Sequence, residues 1–81
     1  MAPEEDASSV CETAECILSY LEKHPQAADT VRGVRSWWLR EQAPRVSEAV
    51  VAKALNGLVA RGYLESQTAP GGEVLFKRRF H

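Results

Sequence analysis

Apolar residues in the first third of the chain recur with the spacing of one helix face. Between Ser9 and Lys23 they follow an i, i+4, i+7, i+8, i+11 pattern, which places them on a single stripe of an α-helix. Ser8 or Ser9 is a suitable N-cap for this helix. His24 precedes Pro25, and a residue before proline disfavours helical angles. The pattern therefore predicts a first helix over residues 9–23.

A second helix is predicted after a short connection. Either Asp29 or Thr30 can serve as its N-cap, and the apolar spacing continues over about residues 31–41. Trp38 lies on the apolar stripe and is predicted to be core. Gly33 costs a helix about 1 kcal/mol relative to alanine. We therefore expect Gly33 to allow the close approach of another backbone.

The third predicted helix has the clearest boundaries. Ser47 is its predicted N-cap, the helix covers about residues 48–61, and Gly62 falls where a left-handed residue commonly ends a helix. Its apolar stripe is wide, which is typical of a helix packed against a core. The stripe consists of Val50, Val51, Ala54, Leu55, Leu58 and Val59.

The hydrophobic period changes from 3.6 to 2 after the third helix. Residues 63–67 and residues 73–80 alternate as two strands, and residues 69–72 contain the proline and glycines of a turn. The inward-facing side chains of the second strand are predicted to be Val74, Phe76 and Phe80. Because an isolated hairpin is marginal in water, it must pack on the helices.

These elements predict the organisation of the whole chain. Residues 1–8 are polar, acidic and contain proline, so we expect a disordered N-terminal segment. Residues 9–81 form one predicted domain of the α+β class, a three-helix bundle followed by a C-terminal two-stranded antiparallel β-hairpin. A domain of this size buries only about 60% of its unfolded surface, so its core is modest.

Composition indicates a globular protein outside the membrane. The chain is 44% hydrophobic and 26% charged, as is usual for globular domains. No apolar stretch approaches the roughly 18 residues of a membrane span. The acidic N-terminus lacks the basic and apolar regions of a signal peptide. We therefore expect a cytoplasmic protein.

The reactive side chains do not form a catalytic or metal-binding pattern. Cys11 and Cys16 are five residues apart on the first helix, so they diverge by about 140° and cannot easily form a disulfide with each other. We expect helix-surface and core-edge thiols, with pairing of an exposed Cys16 between chains as the alternative. Neither His24 nor His81 has a predicted catalytic partner. We expect no enzyme activity, no metal and no cofactor.

The net charge of −1 is the difference between two oppositely charged parts. Residues 1–30 contain seven acids and one base, and residues 31–81 contain nine bases and four acids. Such asymmetry can indicate a surface that faces a polyanion. It can equally reflect two solvated faces that attract each other.

Three helices followed by a hairpin are the layout of winged helix domains, and one segment resembles that family locally. Residues 54–65, ALNGLVARGYLE, resemble the junction of recognition helix and wing in bacterial winged helix regulators. Residues 70–72 and 74–79 resemble the remainder of the wing, so the resemblance covers about residues 9–80. Residues 29–34 and 37–39 also resemble a pattern in small bacterial proteins, and that second likeness implies no activity.

The resemblance implies a DNA-binding transcriptional regulator. In winged helix regulators the third helix enters the major groove and the wing contacts the DNA backbone or minor groove. Here Asn56 is suited to pair with adenine, and an alanine methyl group to contact thymine. The implied DNA-contacting residues are Arg45, Ser47, Ala49, Ala52, Lys53, Asn56, Lys77, Arg78 and Arg79.

A single reading helix of this composition offers few base contacts. A good bidentate contact contributes about 1–3 kcal/mol, whereas specific and non-specific sites differ by about 4–10 kcal/mol. Asn56 alone cannot supply that difference. We therefore expect a homodimer on double-stranded DNA, with the hairpin charges adding affinity without sequence information.

The alternative function is a protein-interaction adaptor that does not bind DNA. Its expected interface combines tryptophan, which is frequent among interface hot spots, with small residues that a partner can approach closely. These residues are Trp37, Ala49, Ala52, Gly57 and Ala60. Trp37 has a second interpretation, in which it packs beneath the hairpin or the N-terminal segment. The basic residues 77–79 also have one, as a solvated edge that prevents strand addition.

Overall fold

The computed structural model describes residues 7–40 and 46–79, with side chains from Ser9 onward. The predictions for residues 1–6, Arg45 and Phe80 therefore lie outside the described residues. The elements, in chain order, are helix α1 (Ala7–Lys23), strand β1 (Ala28–Asp29), helix α2 (Val31–Gly33) continued by the π-helical turn π1 (Val34–Trp38), helix α3 (Glu48–Ala60), strand β2 (Leu64–Thr68) and strand β3 (Val74–Arg78).

Helix α1 begins at Ala7, two residues before the predicted start. Its most buried positions are Thr13, Ile17 and Leu21, which recur every four residues and so lie on one face. The predicted stripe also included Val10, Ala14 and Leu18, and these three residues are only half-buried beside the core. The buried face is therefore rotated from the predicted one and includes a threonine.

The second helix is shorter and less regular than the predicted helix over residues 31–41. Thr30 is its N-cap, because the Thr30 Oγ1 accepts a hydrogen bond from the backbone N–H of Gly33 at 3.1 Å. After Gly33 the helix widens, and the backbone N–H of Leu39 donates to the carbonyl of Val34 at 3.1 Å. This i+5 spacing is that of a π-helix.

Gly33 is needed because of a side chain and not because of a backbone. The Asp29 carboxyl group occupies the position that a β-carbon at residue 33 would take. The same carboxyl group is held in place by the backbone N–H of Thr30, which donates to Asp29 Oδ1 at 2.8 Å. The expected close approach is present, but its partner was wrongly predicted.

Both ends of α3 follow the predicted capping. The Ser47 Oγ accepts a hydrogen bond from the backbone N–H of Val50 at 3.2 Å. At the other end Gly62 has a φ of 86°, which glycine adopts without steric cost. The N–H of Gly62 donates to the carbonyl of Val59, and the N–H of Tyr63 donates to that of Leu58, both at 3.0 Å. These two bonds form a Schellman motif.

The sheet has three antiparallel strands in the order β1-β3-β2, one strand more than predicted. Strand β1 pairs through Ala28 with Lys77 and through Asp29 with Phe76. A two-residue strand is too short to show alternation, so the hydrophobic pattern gave no sign of it. The predicted two-stranded hairpin is therefore β2 and β3, with β3 in the centre of the sheet.

The hairpin ends in a tight turn at residues 69–73. The backbone N–H of Gly72 donates to the carbonyl of Ala69 at 2.9 Å, and Gly72 has a φ of 92°. Val74 follows the turn and is 42% exposed, although the alternation predicted an inward side chain. Its position beside the tip, rather than over the helices, explains the difference.

One apolar cluster joins the helices to the sheet, and Leu64 and Phe76 are the buried side chains that the strands contribute. Ile17, Val34, Leu39, Val51 and Leu55 are fully buried within it. The described chain is thus a small α+β fold of three helices and a three-stranded antiparallel sheet.

Candidate binding surfaces

The outer face of α3 is exposed, as the helical pattern predicted. Ala49, Lys53, Asn56 and Ala60 are all exposed, and Ala52 at the edge of this face is half-buried. The opposite side of the helix is buried through its valines and leucines. We call these four exposed residues the outer face of α3. It presents one cation, one amide and two methyl groups.

Ser47 lies at the start of α3 and is half-buried. Its hydroxyl oxygen accepts the capping bond from Val50, so the principal role visible for this side chain is to start the helix. Arg45, the cation expected beside it, lies outside the described residues.

A groove separates α1 from α3 along one edge of the outer face. It has a volume of about 410 Å³, and Lys53, Gly57 and Arg61 of the α3 side border it. The α1 side contributes apolar side chains together with Glu15 and Cys11. A carboxylate from the acidic part of the chain therefore lies in the same groove as two cations of the basic part.

The three cations of β3 and its end do not form one patch. Neighbouring residues of a strand point to opposite faces of the sheet, so Lys77 and Arg78 diverge. Lys77 Nζ lies 3.4 Å from Glu65 Oε2, across the hairpin on β2. Arg78 and Arg79 instead border a hollow at the base of the hairpin, which Glu22 of α1 also lines.

The cations of the hairpin lie near its base and not at its tip. The pairs nearest the base are Leu64 with Arg78 and Glu65 with Lys77, whereas Thr68 and Val74 pair next to the turn. Residues 69–73 at the tip contain Glu73 and no basic residue. In this hairpin the positive charge therefore lies near the base and away from the tip.

A second ion pair connects the starts of α2 and α3. Arg32 Nε lies 3.8 Å from Glu48 Oε2, and both side chains are well exposed. Exposed pairs of this kind contribute little to stability because water and salt screen them. Their consequence here is that Arg32 and Lys77 each have a carboxylate beside them.

The two tryptophans have different environments. Trp38 is buried and stacks on Tyr20 of α1, with ring centroids 5.1 Å apart and an angle of 10° between the ring planes. Trp37 is 62% exposed, so it does not pack beneath the hairpin. It borders a hollow together with Lys23, His24 and other residues at the end of α1.

The residues of the expected protein interface lie in separate places. Trp37 borders the hollow at the end of α1, beside Tyr20. Gly57 borders the groove between α1 and α3, which Ala14 and Leu18 line on another side of α1. The structure therefore does not bring Trp37 and Gly57 into one continuous patch.

A contact between π1 and the segment before α3 was not predicted from the sequence. Arg35 Nε donates a hydrogen bond of 2.7 Å to the backbone carbonyl of Val46, which connects π1 to the segment before α3. Arginine at this position gave no pattern that distinguished it from the other basic residues. Its partner is a backbone carbonyl 11 residues away, and only the packing of the helices defines it.

The thiols are not placed for joint chemistry. Cys11 is exposed and Cys16 is half-buried, and both are free. Burial, followed by the nearby charges of Glu15 and Glu12, raises the pKa of the Cys16 thiol. Residues 7–40 and 46–79 contain no group of three His, Cys, Asp or Glu side chains that could hold a metal ion.

Within the same ranges, the helices are too short or too polar to cross a bilayer. Comparison of the chain with protein-family models, curated proteins and solved structures finds no match. The described residues define a small α+β protein with an exposed helix face beside an antiparallel sheet.

Proposed function

We propose that the chain is a cytoplasmic transcriptional regulator of the winged helix type, which binds duplex DNA as a dimer through the outer face of α3. Two observations together carry this proposal: the outer face of α3 is exposed, and the elements are connected in a particular order. The connectivity runs helix, strand, helix, helix, strand, strand, and the sheet order is β1-β3-β2. This arrangement is compatible with a winged-helix layout, in which the third helix reads the major groove.

The chemistry of the outer face suits shallow contact with the major groove. The Asn56 amide can donate to and accept from an adenine edge, and the methyl group of Ala49 can contact a thymine methyl. Lys53 can neutralise a phosphate. Small side chains at 49 and 60 allow the helix backbone to approach the bases closely.

The segment from α2 to the end of α3, which we call the helix pair, favours a polyanion more than the net charge of the chain suggests. Residues 31–61 contain six bases and two acids. Exposed Arg32 and Arg40 belong to this set, as does Lys53. Because the hairpin cations lie near the hairpin base, we assign most phosphate contacts to the helix pair and fewer to the wing.

The test is a fluorescence-anisotropy titration of a labelled duplex at several salt concentrations. We expect micromolar binding at low salt that weakens as salt rises, because phosphate contacts release counterions. Lys53→Gln should reduce the slope of log K against log salt by about 1, as expected for one lost phosphate contact.

Lys77→Gln is the matched control for the Lys53 variant. It removes the same charge, but from the base of the hairpin, where Lys77 pairs in register with Glu65 and lies off the outer face of α3, so the slope should change less. Asn56→Ala should weaken binding to the preferred sequence and leave binding to other duplexes unchanged. Absence of any salt-dependent binding at high micromolar protein would exclude the proposal.

A second candidate function, a protein-binding adaptor, is favoured by the exposure of Trp37. When a partner covers a tryptophan that is 62% exposed, a large apolar area is removed from contact with water, and this favours binding. The carboxylates among the cations of the surface would also suit a protein more than a nucleic acid. In this case Trp37 and its surroundings, rather than the whole predicted set, form the interface.

Affinity capture from the source cells distinguishes the two functions. A partner protein retained by the wild-type chain and by Tyr63→Asp, but lost with Trp37→Asp, would support the adaptor. Tyr63 is the matched control because it is also an exposed aromatic residue. Recovery of nucleic acid alone, released by salt, would count against the adaptor.

A further inference from the structure

A hollow at the end of α1 combines aromatic rings with positive charge. Its volume is about 260 Å³, and its aromatic lining is provided by Tyr20, Trp37 and Trp38. This volume is just below the range of about 300–1,000 Å³ that is typical of ligand pockets, so the hollow is of a size to receive one flat ring system.

Three of the rings at this hollow lie against one another. Tyr20 stacks on buried Trp38, and its centroid lies 4.4 Å from that of His24 at an angle of 32°. Trp37 stands beside this row with 62% of its surface exposed. A bound ring could therefore cover Trp37 without rearrangement of the three rings behind it.

The backbone at the hollow is also unusual. Trp37 and Trp38 are the last two residues of the π-helical turn π1. Single π-helical turns are rare and frequently occur at functional sites, because they change the direction of the side chains that follow. Here the turn leaves two consecutive tryptophans bordering one hollow, although one is buried and the other exposed.

The charge of the hollow selects the ligand. Lys23 and Arg40 line it, and no carboxylate is present among its described lining residues. Both cations are exposed. An anionic group attached to the ring would meet this positive charge, and a charge-assisted hydrogen bond from arginine to such a group is stronger than a neutral one.

We propose that this hollow is a binding site for a small aromatic anion, a flat ring system that carries a carboxylate or a phosphate. The ring stacks on Trp37, and Lys23 and Arg40 bind the anionic group. The site lies apart from the outer face of α3. It shares Trp37 with the protein-binding candidate and Arg40 with the cations assigned to DNA phosphates, but the isolated chain tests it in the absence of either partner.

Two-dimensional ¹⁵N–¹H NMR of the full chain tests the site directly. The chain has two tryptophans, so the spectrum contains two indole N–H signals, and both report on the hollow. The probes are indole-3-carboxylate and adenosine monophosphate, which separate the carboxylate class from the phosphate class. Their uncharged counterparts are indole-3-carboxamide and adenosine, and inorganic phosphate tests the anion without a ring.

We expect at least one aromatic anion to shift both indole signals saturably at millimolar concentration. Its affinity should exceed that of its uncharged counterpart and of inorganic phosphate by at least about fivefold. Trp37→Ala should weaken binding by at least about fivefold, as stacking on an aromatic side chain usually does. Arg40→Gln should weaken binding of the anion and leave binding of its uncharged counterpart unchanged.

The matched controls are Tyr63→Ala and Arg61→Gln, which remove an exposed aromatic ring and an exposed cation elsewhere. Both should keep the affinity within about twofold of wild type, as is usual for surface substitutions. Three results would each overturn the proposal. They are no saturable shift with either anion, equal binding of charged and uncharged probes, and binding that survives Trp37→Ala.

Discussion

Two glycines within helical segments have opposite surroundings. A β-carbon at Gly33 would collide with the carboxyl group of Asp29, whereas a β-carbon at Gly57 would meet no atom within 4 Å. Each glycine destabilises its helix, because a glycine backbone loses more conformational freedom on folding than that of any other residue. Only at Gly33 does the folded structure require that cost.

We therefore predict opposite effects of the same substitution. Gly33→Ala should lower the free energy of unfolding by about 1–3 kcal/mol, because the Asp29 carboxyl must leave its bond to Thr30. Gly57→Ala should raise it by about 0.5–1 kcal/mol. Urea denaturation of both variants measures these changes. A Gly33→Ala protein as stable as wild type would show that the carboxyl group moves aside without cost.

The two thiols should differ in reactivity. The thiolate is the reactive form, and burial raises the pKa of Cys16 with a further contribution from Glu15 and Glu12. At neutral pH a raised pKa means less thiolate, so Cys16 should react with iodoacetamide more slowly than exposed Cys11.

Mass spectrometry of a time course, with Cys11→Ser to isolate the second site, follows each thiol. The rate at Cys16 should increase as pH rises toward its pKa. Faster alkylation of Cys16 than of Cys11 near neutral pH would contradict the placement of these side chains.

At the scale of elements, local rules define α3 well. Its start and end depend on Ser47 and Gly62, whose roles follow from side-chain chemistry and from a positive φ. In contrast, β1 is defined by its pairing with β3, and π1 contains buried Trp38, which stacks on Tyr20 of α1. Neither has a local pattern that would have revealed it.

We predict that the Ser47 hydroxyl acts mainly as a helix cap. Ser47→Ala should lower the free energy of unfolding by about 0.5–2 kcal/mol, because the N–H of Val50 loses its acceptor. Ser47→Asn should restore most of this loss, since asparagine is an equally good N-cap. Thermal and urea unfolding of the two variants provide the comparison. Equal stability of both variants would refute a capping role.

At the scale of the whole molecule, a small core leaves little margin. Leu55 is fully buried in the cluster that joins α1, α3 and the sheet. A domain of this length has a total stability of about 4–12 kcal/mol. Removal of one large buried side chain can therefore consume most of it.

Leu55→Ala should lower the free energy of unfolding by about 2–5 kcal/mol through lost burial and the cavity left behind. Leu55→Met, which nearly conserves volume, should cost less than about 1.5 kcal/mol. Circular dichroism during urea titration would distinguish the two. A loss below about 1 kcal/mol for Leu55→Ala would mean that Leu55 is not central to the core.

The sequence by itself determined the order and approximate positions of the three helices and the hairpin, and which side of α3 faces outward. Ala49, Lys53 and Asn56 are exposed as predicted, because capping and helical periodicity act over a few neighbouring residues. Effects of such short range are encoded in the order of the residues, and at α3 the packing did not override them.

Only the tertiary structure decided which side chains share a surface. Lys77 pairs with Glu65, whereas Arg78 borders a hollow with Glu22, so adjacent cations of one strand belong to different surroundings. Trp37 meets the end of α1, and Gly57 meets a different side of it. The register of the hairpin sets the Lys77–Glu65 pair, and the other neighbours depend on how α1 packs against the other elements. That packing sums many weak contacts between residues distant in the chain, and no short pattern records it.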